Sequence, residues 1–173
     1  MDAGALGLYV CLFIALYFEV FLMISFFEKR PSKKDASLPE RYPVVSMLVP
    51  CFNEEKTLAG TIESLLAMHY PKDKLEIVVI DDGSRDNTAT IAREYAQKYP
   101  AQVSFLQKEN GGKYTALNLG IENSRGEIIG CLDADSFAAQ DALMEAVKMF
   151  GSDAGAMAIT PAMQVYQPRK MLE

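Results

Sequence analysis

Histidine occurs once, at His69, and cysteine three times, at Cys11, Cys51 and Cys131. One histidine excludes a multi-histidine metal centre. The cysteines are odd in number, widely spaced and without a CxxC pair, so no disulfide framework is expected. They read as buried free thiols in a reducing compartment. A basic stripe is also lacking. Residues 1–43 hold five acidic and five basic residues, so the net charge of −6 belongs to the remainder. An acidic domain of that kind does not suit a nucleic-acid partner. No internal repeat and no low-complexity tract occurs.

Charge is almost missing from one long segment. Between Ala3 and Phe27 the only charged residue is Glu19. As a helix this segment measures about 37 Å, enough to cross a hydrocarbon core of roughly 30 Å with some tilt. A signal peptide would bring a basic start, a shorter apolar core and a small-residue cleavage site. Here Asp2 precedes the run and Phe26-Phe27-Glu28 closes it. A core helix of a soluble protein would show a polar face. The reading is therefore an uncleaved membrane anchor over residues 1–28. Lys29, Arg30, Lys33, Lys34 and Arg41 follow it directly. By the positive-inside rule, this basic flank puts the rest of the chain in the cytoplasm, at the cell membrane. Glu19 either faces a partner helix or polar cavity, or snorkels to an interface.

Residues 29–43 carry Pro31, Pro39 and Pro43 among charges and read as a linker. From residue 44 the pattern is regular. Strands are expected at Val44 to Val49, Leu75 to Ile80, Val103 to Leu106, Glu127 to Leu132 and Ala156 to Ile159. Helices are expected between them. Leu58, Ile62, Leu65 and Leu66 mark the first, which Pro71 stops. Ile91 and Tyr95 mark the second, Thr115 to Asn123 the third and Asp141 to Phe150 the fourth. Alternating strands and helices predict an α/β fold, a mostly parallel sheet with helices on both faces. The apolar strands predict burial on both sides.

Three strands end in polar clusters. They are Pro50-Cys51-Phe52-Asn53-Glu54, Asp81-Asp82-Gly83-Ser84 and Asp133-Ala134-Asp135. In open α/β sheets, ligands bind beyond the carboxyl ends of the strands, where the strand order reverses. A 3-2-1-4 order would bring the first and third clusters face to face, with Asp82 beside them. Each cluster also has a plain structural reading. Asp-Asp-Gly-Ser makes a turn, with Ser84 or Asp86 capping the next helix. Asn53 or Glu54 starts a helix, Phe52 belongs to the core, and the two aspartates are loop residues. Lys113, after Asn110-Gly111-Gly112, either reaches a ligand or lies in solvent. Convergence on one edge favours the functional reading. Many carboxylates without histidine or cysteine ligands suit Mg²⁺ or Mn²⁺ shared with substrate phosphates.

The segments VSMLVPCFNEE, VVIDDGSRDNT, NGGKYTALNLGI and GCLDADS, in that order, resemble the N-terminal half of family 2 glycosyltransferases with the GT-A fold. The resemblance spans roughly residues 44–160 and points to the membrane-anchored branch. That branch includes synthases of hyaluronan, chitin, cellulose and poly-N-acetylglucosamine. It implies an inverting transfer from a nucleoside-diphosphate sugar, with uridine as the usual nucleoside, to a glycan or lipid-linked acceptor. Pro50, Phe52, Asn53 and Glu54 would line the donor pocket. Asp82 would meet the base and Lys113 would lie near the donor. Asp133-Ala134-Asp135 resembles the DxD motif, with Ala134 beside the donor and both aspartates at the metal.

Family members carry a later acidic residue as general base, and often a QxxRW motif. This sequence reaches Glu173 before either. The expectation is an incomplete nucleotide-sugar-binding domain over 44–173, itself inactive, with its base beyond Glu173. Three other readings compete. They are a polyprenyl-phosphate sugar synthase, a receiver-type signalling domain and an inactive membrane scaffold.

Overall fold

The computed structural model describes residues 3–27, 41–152 and 155–160. The chain divides into two compact units, Met1–Ala36 and Ser37–Glu173. In the first, α1 runs over Ala3–Phe27. Its stretch Gly4–Ser25 is long and apolar enough to cross a membrane, and none of it is buried within the chain. Glu19 is exposed on it. The expected linker falls largely on residues 28–40, outside the described residues, as do Lys29, Arg30, Lys33 and Lys34.

The second unit holds a four-stranded parallel sheet in the order β3-β2-β1-β4. The strands are β1 Val45–Cys51, β2 Leu75–Asp81, β3 Val103–Gln107 and β4 Ile128–Cys131. The helices are α2 Leu58–Leu66, α3 Thr88–Lys98, α4 Lys113–Glu122 and α5 Ala142–Ser152. Successive strand side chains point to opposite faces. Val45, Met47 and Val49 of β1, with Ile77 and Val79 of β2, therefore share one face. They pack with Leu58, Ile62 and Leu65 of α2, Ala92 of α3, and Leu143 and Val147 of α5. Leu48, Val78 and Ile80 face the other way, against Ala116 of α4. Helices cover both faces, as expected from the apolar central strands.

Three expectations need correction. β4 is not buried on both sides. Its residues alternate between half-buried and exposed, because it pairs only with β1 and forms an edge of the described sheet. The thiols are free, but only Cys51 is buried. Cys11 lies on the exposed surface of α1 and Cys131 on the edge strand. The fifth strand is not formed: residues 156–160 have no regular structure, and Met157 is 96% exposed. An apolar run becomes a strand only through pairing, and no strand pairs with this one among the described residues.

Candidate active site

β1 sits between β2 and β4, so the chain reverses direction across the sheet at the β1–β4 boundary. A cleft of about 230 Å³ opens at their carboxyl ends. Pro50, Cys51, Phe52, Glu54, Asp82, Lys113, Ala116, Asp133, Ala134 and Asp135 line it. All the expected site residues except Asn53 meet there.

The wall after β1 and β2 is woven from loop-to-loop hydrogen bonds. The Asp82 N–H donates to the Cys51 carbonyl at 2.9 Å. Asn53, at a φ of 56°, donates its N–H to Ser84 Oγ at 2.9 Å, and its Oδ1 accepts from the Arg85 N–H at 2.9 Å. Asparagine tolerates that left-handed conformation better than most residues. Asn53 therefore ties the two loops together and does not line the cleft. The Glu54 N–H donates to Thr88 Oγ1 at 2.8 Å, and Glu54 Oε2 accepts from Thr57 Oγ1 at 2.6 Å. Neither Ser84 nor Asp86 is the cap of α3: the N-cap is Asn87, without a side-chain cap bond, and Asp86 accepts the Thr88 N–H at 3.0 Å in the turn before it. The hydroxyl bond from Thr88 leads the effects holding the Asp86 carboxyl below its ordinary pKa. Burial pushes the Cys51 thiol up to about 12, reinforced by Asp81 and Glu54, so this cleft cysteine stays protonated and inert.

Asp82 is 4% exposed. Its Oδ1 accepts from Lys108 Nζ at 2.6 Å and from the Gly111 N–H at 3.0 Å, and its Oδ2 accepts from the Gly112 N–H at 2.8 Å. Burial alone would raise the carboxyl pKa. The Lys108 bond and the two backbone donors outweigh it, and the net shift is downward. Lys108 was not singled out from sequence. Its signal is positional: it directly follows β3, and β3 pairs with β2, which ends beside Asp82.

The β4 wall is looser. Lys113 Nζ lies 2.5 Å from Asp133 Oδ1, both side chains being more than half exposed. That bond leads the causes raising the Lys113 pKa, so the lysine stays charged. Ala134 is buried, and its carbonyl accepts from Thr61 Oγ1 at 2.8 Å, anchoring the acidic turn to α2. Asp133 and Asp135 are left exposed on either side of it. A lysine thus offsets the charge of Asp133 at this acidic turn. His69 lies against Asp141 instead and does not line the cleft. No group of three or more His, Cys, Asp or Glu side chains is arranged to hold an ion among the described residues. The donor set at the cleft is two exposed carboxylates. It fits a hard divalent cation that takes most of its ligands from phosphate and water.

Residues 46–170 match the sequence pattern of Glycosyl transferase family 2. The chain belongs to that family. It is 32% identical over 170 residues to the probable glycosyltransferase YdaM of Bacillus subtilis, covering 93% of this chain and 40% of that protein. It is 32% identical over 157 residues to the poly-β-1,6-N-acetyl-D-glucosamine synthase of Staphylococcus epidermidis, covering 88% of this chain and 37% of that one. The chain thus spans about two fifths of the length of these relatives. Among solved structures, the mannosyltransferase PcManGT of Pyrobaculum calidifontis, in complex with GDP-Man and Mn²⁺, superposes with a TM-score of 0.70 at 32% identity. That match covers 84% of this chain and 43% of the other. Staphylococcus aureus TarS 1-349 with UDP-GlcNAc gives a TM-score of 0.54 at 27% identity, over 62% of this chain and 31% of that one. The fold is GT-A. A receiver domain is excluded by topology, because its sheet runs 2-1-3-4-5.

Proposed function

We propose that this family 2 chain carries the donor-binding part of an inverting, membrane-anchored glycosyltransferase. The donor is a nucleoside-diphosphate sugar, first of all a uridine diphosphate sugar, taken with Mg²⁺ or Mn²⁺. One observation carries the reading. The ends of β1, β2 and β4, with the start of α4, bring a buried aspartate, a charged lysine and two exposed carboxylates to a single cleft.

In this reading Pro50, Phe52 and Glu54 hold the nucleoside, and Asp82 accepts a hydrogen bond from the base. A carboxylate has about four acceptor positions, and three are filled, so one remains. Asp133 and Asp135 would hold the metal. When bound, the metal stabilises charge on the departing diphosphate. Lys113 supplies a second positive charge beside it. We assign the general base to none of the described residues. The acceptor is a glycan or a lipid-linked sugar, as in the polysaccharide synthases that the chain resembles.

Titration of the detergent-solubilised chain with UDP and with GDP, with and without Mn²⁺, tests the reading. We expect metal-dependent binding with UDP the tighter ligand. Binding of neither nucleotide would reject it, and a preference for GDP would reassign the base. The basic flank further supports a cytoplasmic domain. A Ser37→Cys probe should then escape an impermeant thiol reagent applied to intact cells, and labelling would reverse the topology.

A further inference from the structure

Asp82 has more partners on the Lys108–Gly112 loop than base recognition requires. Three donors of that loop converge on its two oxygens. The loop also sits in a notch that only glycine leaves open: at Gly83, φ +80°, a Cβ would lie 2.8 Å from the Asn110 nitrogen and 3.3 Å from the Lys108 carbonyl. At its far end Gly112, φ +91°, turns the chain into α4. The Gly112 carbonyl accepts from Thr115 Oγ1 at 2.8 Å, fixing the first turn of that helix. Lys113 is the first residue of the turn, and its Nζ reaches across the cleft to Asp133. Asp82 and Lys113 are thus joined by one short segment, whose Gly111 and Gly112 amides both donate to Asp82.

We infer that Asp82, clamped by Lys108, is a positioning residue for Lys113, so that the base end and the diphosphate end of the cleft are mechanically one part. This rests on the donor reading above and extends it. The carboxylate of Asp82 fixes the Gly111 and Gly112 amides, the amides fix the start of α4, and α4 aims the lysine at the place where the diphosphate charge falls.

The inference separates from base contact by the sign of one measurement. Inorganic pyrophosphate has no base. Asp82→Asn removes a negative charge from the cleft, which by charge alone strengthens binding of an anion. It also puts an NH₂ where one of the loop amides needs an acceptor, which frees the loop. We expect calorimetry on the detergent-solubilised 173-residue chain to show manganese pyrophosphate bound about tenfold more weakly by Asp82→Asn, the scale of losing a charged hydrogen bond. Asp82→Glu keeps the charge and displaces the loop by one methylene. It should weaken pyrophosphate binding too, and it decides the matter if Asp82→Asn does not fold. In a Lys113→Gln background the Asp82→Asn loss should vanish, because the effect passes through that lysine. Pyrophosphate binding unchanged or tightened in Asp82→Asn, with UDP binding weakened, would overturn the inference and leave the donor reading intact. A loss that persists in full without Lys113 would also overturn it. A wild-type chain that binds neither ligand would remove both.

Discussion

On the β1–β2 side of the cleft, Asp82 is 4% exposed and accepts three hydrogen bonds, and the two loops exchange hydrogen bonds through Asn53, Ser84, Arg85, Glu54 and Thr88. On the β4 side, Asp133 and Asp135 stand in solvent, and one exposed ion pair restrains Asp133. The difference follows from position in the sheet. β1 and β2 are flanked by strands on both sides and covered on both faces, so their ends inherit neighbours. β4 is an edge of the described sheet, and its end inherits few. A site built this way presents one preformed wall and one whose contacts a ligand completes. Damage to the first should appear as lost stability, and damage to the second as lost binding.

The largest effect should come from beneath the first wall. Ile80 is fully buried one residue before the Asp81-Asp82 turn. Ile80→Ala should cost about 2–5 kcal/mol, the range for a large side chain removed from a packed core. Urea denaturation measures it. A cost below about 1 kcal/mol, typical of exposed sites, would mean that the wall is not rigid in solution.

Next comes Asp135→Asn, which keeps shape and removes a charged oxygen from the open wall. We expect Mn²⁺-dependent nucleotide binding to fall on the order of 100-fold, as for loss of a strong charge-assisted contact. Its melting temperature should stay near wild type, because Asp135 is exposed and, among the described residues, its side chain accepts just one long bond, from Ser136 Oγ at 3.4 Å. Unchanged metal-dependent affinity would make Asp135 a plain loop residue. A large drop in stability would erase the contrast between the walls.

Much of this was legible in the sequence, for a physical reason. Strand and helix periodicity depends on burial, and the central strands are buried, so β1 and β2 lie within two residues of where their valines and isoleucines predict them, and the edge strands β3 and β4 lie within one of their expected bounds. Polar clusters at strand ends are conspicuous, and they gave the cleft. What escaped depends on pairing between distant segments. Lys108 looks like any lysine after a strand until the β3–β2 register places it beside Asp82. Asn53 lies in the same motif as Phe52 and Glu54, and only its left-handed backbone and its bonds to the 84–85 loop show that it serves the loops. The segment 156–160 reads as a strand by composition, yet strandedness is a property of a ladder, which composition does not contain.

The smallest expected effect is a pH dependence that belongs to the first wall alone. The Asp82 carboxyl titrates below its ordinary value in the folded chain, burial being outweighed by Lys108 and the Gly111 and Gly112 amides. A depressed folded pKa means that the ionised form is the one the fold favours. Its contribution to stability is therefore complete above the unfolded-chain value of about 3.9 and is lost as pH falls through the folded value. Asp82→Asn has no such titration at that position. The gap in melting temperature between wild type and Asp82→Asn should be constant from about pH 5 upward and should shrink below about pH 4. Asp86 also titrates low, through Thr88, but it does so in both proteins and cancels in the difference. The same comparison made with Asp133→Asn should show little gap at any pH, because an exposed ion pair contributes at most about 1 kcal/mol. A gap for Asp82→Asn that widens on acidification would reverse the assigned sign. A gap for Asp133→Asn as large as that for Asp82→Asn would mean that the two walls are held alike.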